Sequence, residues 1–401
     1  MQSEKTVQVK NVRIVNNHEI KSGELWYKNG LLLDAAACKY ITPDEVIDGN
    51  NCLVCPGFID IQINGAYGYD FSDPSITKEE IDSVTKRLAN NGCVAICPTI
   101  ITSSPEVYKK ILPLYTPRKG GVEKGAATLG VHCEGPFIAP QRRGAHPLDC
   151  VKSPVEGGKS VMDMYGSLEN IKIVTIAAEN PGAPEAIKFM VEHGLTVSEG
   201  HTVATIEQAE VGIHSGATLL THLFNAMNPF HHRDPGVIGL LGMDEEKCPH
   251  YSIISDGIHS HPYAVRFAHK AHPTGAILIT DAMAAMGLPA GHYKLGKQNV
   301  VIENNKAVLE ENENTLAGSI VSIDTCVRNF TKFTGCSQIE AIEAATLRPA
   351  QIIHIDNKKG SLNPGMDADF LFLDDNLNVM TTFIGGEKVF EDKELLAKYS
   401  H

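Results

Sequence analysis

A closed (β/α)8 barrel carrying a small β-sandwich, built from the N- and C-terminal segments, is the α/β fold this sequence predicts. Three patterns predict it. Eight short β-rich apolar runs recur through the middle of the chain, amphipathic segments of helical length separate several of them, and both ends read as strands and turns.

Residues 1–55 supply "VQVKNVRIV", "ELWYKNGLLL" and "NNCLV", broken by Asn, Gly and Asp, and nothing there asks for a helix. The pattern changes at Pro56. The runs that follow are "GFIDIQI", "CVAICPT", "TLGVHCE", "IKIVTIA", "LTVSEG", "ATLLTH", "YSIISD" and "AILITD". Between them "KEEIDSVTKRLANNG", "APEAIKFMVEHG", "TIEQAEVGIHSG" and "HPYAVRFAHKAH" place apolar residues at helical spacing, with closing glycines. Eight β/α alternations in about 300 residues suit a closed barrel better than an open, doubly wound sheet. The segments "GSLNPGMDADFLFLDDN" and "VMTTFIGGEKVFED" then return to strands. The expected division is a barrel over 56–358, with the sandwich shared between 1–55 and 359–401.

Composition narrows the function. The chain has 401 residues, 43% hydrophobic and 21% charged, enough to bury one large core or a large domain plus a small one. A net charge of −13 without any Lys/Arg block argues against nucleic acid or an anionic membrane as partner. The N-terminal "MQSEKTVQVKNVRIVNN" lacks a signal-peptide core, and ten cysteines sit mostly in apolar runs, so a reducing, cytoplasmic setting is expected. "CLVC" is half of a zinc motif, but no second CxxC completes it.

In a parallel barrel, chemistry collects at the C-terminal strand ends, so the polar residue closing each run carries information. Glu134 closes "TLGVHC", His201 follows "LTVSEG", His222 ends "ATLLT" and Asp281 ends "AILIT". Glu with two His is a set that holds a catalytic divalent ion and leaves a position open for water. Such an ion acidifies water and polarises a carbonyl, and Asp281 would be the base that takes the water's proton and later gives it to the leaving amine. His132 and Glu199 each lie two residues before a closer, on the same side of the strand, and could compete as ligands; their deeper placement favours a supporting or core role. His231, His232, His269 and His272 fall in loop or helix contexts and read as solvated or structural.

"VCPGFIDIQING", "HCEGPF", "GHT", "THLFNAM", "DGIH", "TDAM", "LAGS" and "GSLNPGMDADF", in that order over about residues 54 to 373, resemble the N-acetylglucosamine-6-phosphate deacetylase family of the amidohydrolase superfamily. "PGFID" and the Gly-x-Leu-x-x-Gly-x-x-Ala-Asp segment mark the superfamily, whereas "HCEGPF" with "THLFNAM" is specific to the deacetylases. The resemblance implies hydrolysis of N-acetyl-D-glucosamine 6-phosphate to D-glucosamine 6-phosphate and acetate. Carried over by position, it makes Glu134, His201 and His222 the metal ligands and Asp281 the proton carrier, the same four residues. Many amidohydrolases have His-x-His after the first strand, where this chain has Gln62 and Asn64, poor ligands for a transition metal. One divalent ion per subunit is therefore expected: Zn2+ first, with Fe2+, Co2+ or Mn2+ able to use the same donors.

A phosphorylated amino sugar needs basic groups for the phosphate, polar groups for the hydroxyls and a snug place for the methyl. The resemblance assigns substrate contacts to Ala145, His146, Asn225, Ala226, Arg233, Asp256, Gly257, Ile258, His259, Leu316, Ala317 and Gly318. Arg142 and Arg143 read as solvated loop charges. Arg233 lies in "NPFHHRDPG", stiffened by Pro229 and Pro235, and the resemblance implies a homodimer in which this arginine serves the partner's site. Two other readings remain: an amidohydrolase acting on a cyclic amide, and a non-catalytic sugar-phosphate-binding scaffold.

Overall fold

The computed structural model describes residues 4–295, 298–303, 306–310, 312–316 and 318–399. Its first hairpin joins strands Val7–Asn16 and Glu19–Lys28 through Asn17 and His18, with φ of 51° and 61°. Two left-handed residues give the turn whose twist matches the flanking strands, and Asn tolerates that conformation better than most residues. Strand Glu45–Pro56 runs parallel to Val7–Asn16 on one side and antiparallel to Phe370–Leu373 on the other, so the two chain ends share a sheet. Among the described residues that sheet has seven strands and a core of its own, including Val9, Tyr27, Val54, Phe370 and Phe383.

All eight apolar runs form parallel strands of one sheet: Phe58–Ile63, Cys93–Ile101, Val131–Glu134, Ile171–Ile176, Thr196–Glu199, Leu219–Leu220, His250–Ile254 and Ala276–Ile279. First and last meet through Asp281 N–H to the Gln62 carbonyl (2.8 Å) and Asn64 N–H to the Ala282 carbonyl (2.7 Å), which close the barrel at its C-terminal mouth. The helices follow from local chemistry. Thr77 and Glu80 form a reciprocal capping box at the start of Lys78–Leu88, worth about 1 kcal/mol, and Ile81, Val84, Thr85 and Leu88 make its buried stripe. Gly92 then turns the chain left-handed (φ 74°) into the second strand, where a Cβ would stand 2.8 Å from Leu371 of the small sheet.

The sequence did not suggest the antiparallel sheet that follows Asp281, built from Gly291–Leu295, Gln298–Glu303, Lys306–Leu309 and Asn312–Leu316. Ala285, Val300, Ile302 and Ala307 form its small core against Met283 and Leu288, and the returning chain lays Ser319 beside Ala282 in a parallel bridge. Among the described residues no helix is long and apolar enough to cross a membrane.

Candidate active site

Glu134 ends its strand, while His201, His222 and Asp281 each lie two residues beyond theirs. The last three have left-handed backbones, with φ of 48°, 31° and 47°. Such conformations are uncommon for residues with a Cβ and persist where surrounding structure holds them, here at the strand-to-loop bends that carry the side chains.

The four converge. His201 Nε2 lies 3.0 Å and His222 Nε2 2.9 Å from Glu134 Oε1, and the two nitrogens are 3.1 Å apart. The Arg142 carbonyl can only accept, so His201 Nδ1, 2.7 Å away, carries a hydrogen and its Nε2 lone pair faces the carboxylate. Facing lone pairs at this separation repel unless a proton or cation lies between them. That donor set, with all three residues buried, fits a divalent ion. His222 Nδ1 is buried and has no partner among the described residues. Burial opposes charge on Glu134, yet the imidazoles of His146, His201 and His222 around it hold its carboxyl well below the ordinary range.

Donor atoms of Glu134, His146 and His201 all lie within 4.8 Å of one another, so geometry alone offers His146 as a ligand. Its hydrogen bonds argue otherwise. His146 Nδ1 accepts from the Thr102 N–H (3.3 Å) and lies 2.8 Å from Thr102 Oγ1, which leaves the hydrogen on Nε2, 3.7 Å from Glu134 Oε2. A nitrogen that carries a proton donates to a substrate oxygen rather than to a metal, and His222 is the better third ligand.

Asp281 is partly exposed at the mouth. Its Oδ1 accepts from Asn64 Nδ2 (2.7 Å) and, more weakly, from Gln62 Nε2 (3.4 Å), which also donates to Glu134 Oε1 at 2.9 Å. Gln62 and Asn64 thus hold the two carboxylates side by side. Burial, then the Glu134 charge, pushes the Asp281 carboxyl up to about 6.

His132 is not available as a ligand: Nδ1 donates to the Ile61 carbonyl (3.0 Å), Nε2 faces Thr175 Oγ1 (2.8 Å), and burial pushes its pKa down to about 4. Glu199 is buried facing Gly212 of the neighbouring helix, away from the mouth. Arg142 and Arg143 are not simply solvated. Arg142 reaches Asn228 Oδ1 at 2.7 Å while its carbonyl orients His201, and Arg143 donates to the His146 carbonyl at 2.9 Å.

Of the remaining positions, Asp256 binds His259 Nδ1 (2.7 Å) and caps the N–H groups of Ile258 and His259, both at 2.8 Å, in a bend that includes Gly257. Asn225 approaches Ser260 at 3.4 Å, and the Ala226 carbonyl accepts from Thr202 N–H at 3.1 Å. Ala145 is exposed beside His146, and Gly318 packs against Met283 just beyond Asp281. Ala317 and the side chain of Leu316 lie outside the described residues. Arg233 is exposed in the turn His231–Asp234 and, among the described residues, pairs with none of the groups around Glu134. His231 and His232 are exposed beside it, whereas His269 and His272 are buried. A separate cavity of about 350 Å³ at the small sheet is lined in part by Tyr27, Phe372 and Phe383, with Asp48, Lys388 and Glu391 also on its wall.

Comparison with known proteins adds to this geometry. The Amidohydrolase family matches residues 53–389. N-acetylglucosamine-6-phosphate deacetylase of Danio rerio is 44% identical over 388 residues, covering 95% of this chain and 96% of that protein. The Bos taurus protein of that name is 45% identical over 399 residues, covering 97% and 96%. Among solved structures, the Pasteurella multocida N-acetylglucosamine-6-phosphate deacetylase superposes with a TM-score of 0.85 at 27% identity, over 96% of this chain and 100% of that one. A mutant of the Mycobacterium smegmatis deacetylase in complex with N-acetyl-D-glucosamine-6-phosphate gives 0.83 at 28%, with the same coverage.

Proposed function

This chain belongs to the amidohydrolase family, and we propose that it hydrolyses the acetamide of N-acetyl-D-glucosamine 6-phosphate, releasing acetate and D-glucosamine 6-phosphate. The observation that carries the reading is the convergence of two imidazoles on one oxygen of Glu134, with Asp281 held beside them through Gln62.

Glu134, His201 and His222 would hold one divalent ion. When bound, it supplies a Lewis acid that acidifies a water and polarises the acetamide carbonyl. Asp281, aligned by Asn64, takes the attacking water's proton at its carboxylate and returns it to the departing sugar nitrogen. The Nε2–H of His146 donates to the carbonyl oxygen as negative charge builds on it. Zn2+ is the proposed ion, because a His₂Glu set with an open position is a common zinc arrangement.

Asn225, Ala226, His259 and Arg233 are proposed to bind the sugar and phosphate, with Ala145, Asp256, Gly257, Ile258 and the Leu316–Gly318 segment shaping the site. The exposure of Arg233 supports a homodimer in which it reaches the partner's phosphate, and exposed Phe230 in the same loop gives apolar surface to cover. We take the chain to divide into a barrel at 56–358 and a small domain from 1–55 and 359–401; Pro56 as the last residue of a small-sheet strand and Phe58 as the first of a barrel strand support the first boundary. Seven of ten free cysteines are buried, which suits a reducing compartment such as the cytoplasm.

The test is acetate release from the 6-phosphate sugar, from its unphosphorylated analogue and from a cyclic amide, each with and without chelator. Chelator-sensitive release confined to the phosphorylated sugar is expected; hydrolysis of the ring amide instead would overturn the substrate, and absence of any hydrolysis by metal-loaded protein would leave a binding scaffold. Arg233→Ala and Asp281→Asn subunits, each weak alone, should regain activity on mixing if Arg233 acts across the dimer. Mixed dimers as weak as their parents would place it in its own subunit.

A further inference from the structure

We propose that a one-way chain of hydrogen bonds beneath the mouth, from Ser198 through Thr221 and Thr175 to His132 and the Ile61 carbonyl, sets the spacing of the metal-donor atoms, with His132 a positioning residue. The inference rests on Glu134, His201 and His222 being the ligand set.

The geometry fixes the direction of the chain. A carbonyl only accepts, so His132 Nδ1, 3.0 Å from the Ile61 oxygen, holds the ring's hydrogen. The neutral ring must then accept at Nε2 from the Thr175 hydroxyl at 2.8 Å. That uses the one hydrogen of Thr175, so Thr221 donates to Thr175 (2.8 Å) and Ser198 in turn donates to Thr221 (2.6 Å). All four side chains are buried. Barrel interiors are usually filled by branched aliphatic residues, and a Val at either threonine would fill the same space without needing a partner. Fully satisfied polar chains of this kind admit one arrangement of their members.

Every member stands next to a donor. Thr221 precedes His222, Thr175 sits opposite Glu134 in the strand register, and His132 lies on the Glu134 strand. Ser198 belongs to the strand leading to His201, and Ile61 precedes Gln62, which donates to Glu134 Oε1. Leu219–Leu220 makes only two register pairs with each neighbouring strand, and Thr221 lies just beyond the last. There the Thr221 N–H bonds the Glu199 carbonyl (2.8 Å) and the His222 N–H bonds Ser252 Oγ (2.7 Å), and the Thr221 hydroxyl adds two side-chain bonds, to Thr175 and Ser198, at the residue next to His222.

The test is metal binding rather than turnover. Zn2+ affinity by chelator competition, and the electronic spectrum of the Co2+-loaded protein, are measured for wild type, Thr175→Val, Thr175→Ser, His132→Gln and Ser198→Ala. Partners that orient ligands typically contribute about 10–100-fold in affinity, and Thr175→Val is expected to lose that much and shift the Co2+ spectrum. Thr175→Ser, which keeps the hydroxyl, and His132→Gln, which can both donate and accept, should recover most of it. Ser198→Ala, at the donor end, removes only the bond into Thr221 and leaves the links from Thr221 to Thr175 and His132, so it should lose much less affinity than Thr175→Val. A folded Thr175→Val with wild-type affinity and spectrum overturns the proposal. Should that variant not fold, ¹⁵N resonances of wild-type His132 decide: hydrogen on Nδ1 is required, and hydrogen on Nε2 reverses the chain and refutes it. His201→Ala separates the two readings. If it binds the ion like wild type, the ligand set itself fails and this inference with it; if it loses the ion while Thr175→Val keeps it, only the chain is wrong.

Discussion

Replacing Asp281 with Asn removes the proposed proton carrier with little change of shape. The amide oxygen can keep the 2.7 Å bond from Asn64, which leaves its NH₂ where a carboxylate oxygen faced the mouth. No atom there can then take a proton, and general acid/base catalysis is worth about 10²–10⁴-fold. At 1.36 kcal/mol per tenfold, turnover should fall by roughly 2.7–5.5 kcal/mol in barrier. Stability should move the other way. Burial first, then the Glu134 charge, raises the Asp281 carboxyl from its ordinary 3.8 to about 6, so ionising it costs the metal-free fold up to about 3 kcal/mol, less what solvent at the mouth screens. A raised carboxyl stabilises the fold while protonated and loses that contribution as pH rises through its folded value. Metal-free wild type should therefore lose stability between about pH 4 and 7, and Asp281→Asn should lose less. Single-turnover acetate release, metal content, and urea midpoints of the chelated proteins at pH 5 and 8 check the three parts. Near-normal turnover with the ion bound would remove Asp281 from the chemistry. A midpoint that fell with pH equally in both proteins would remove the electrostatic account.

Elemental analysis should find about one transition-metal ion per chain, as a single open His₂Glu site requires; two tightly held ions that activity depends on would refute the reading of Gln62 and Asn64. Glu199 is buried with neither carboxylate oxygen partnered among the described residues, and burial, reinforced by Glu179, raises it well above the usual range. By the same sign, Glu199→Gln should match wild type in acid and become the more stable protein as pH rises above the ordinary carboxylate range, the gap growing until pH reaches the raised value. Equal urea midpoints from pH 5 to 9 would show that the folded protein leaves this carboxyl at its ordinary value, which would refute the burial account. Lys359 is largely enclosed between Asp367 and Asp369, its side chain 10% exposed, and Lys359→Met, which leaves two carboxylates without their cation, should cost about 3–5 kcal/mol. An unchanged thermal or urea midpoint would mean that solvent already neutralises the pair.

The eight strands were legible because a strand buried on both faces must be apolar along its length, and the runs stop where the chain leaves the barrel. The same logic exposed Glu134, His201, His222 and Asp281, since a polar residue closing such a run has little reason to be there unless the mouth uses it. The sheet after Asp281 was harder: its strands pair only with one another, and its core borrows Met283 and Leu288 from the loop below, so no single segment carries a full signature. Left-handed backbones at His201, His222 and Asp281 were invisible, because His and Asp adopt positive φ only occasionally and their letters do not say where.

What each polar group does was hidden for a different reason. Spacing tells which face of a strand a residue occupies, but the role of an imidazole depends on where its hydrogen sits. The Arg142 carbonyl sets that for His201 and the Thr102 N–H for His146, from positions 59 and 44 residues away in the chain. Two histidines that look alike as letters thereby become a lone-pair donor and a proton donor. Gln62 makes the same point in reverse. As a letter it marks a ligand that is missing, whereas in the fold its amide spans Glu134 and Asp281, carboxylates that would otherwise repel across the mouth. A poor metal ligand and a bridge between two acids are then one amide seen two ways, and only the folded distances join them.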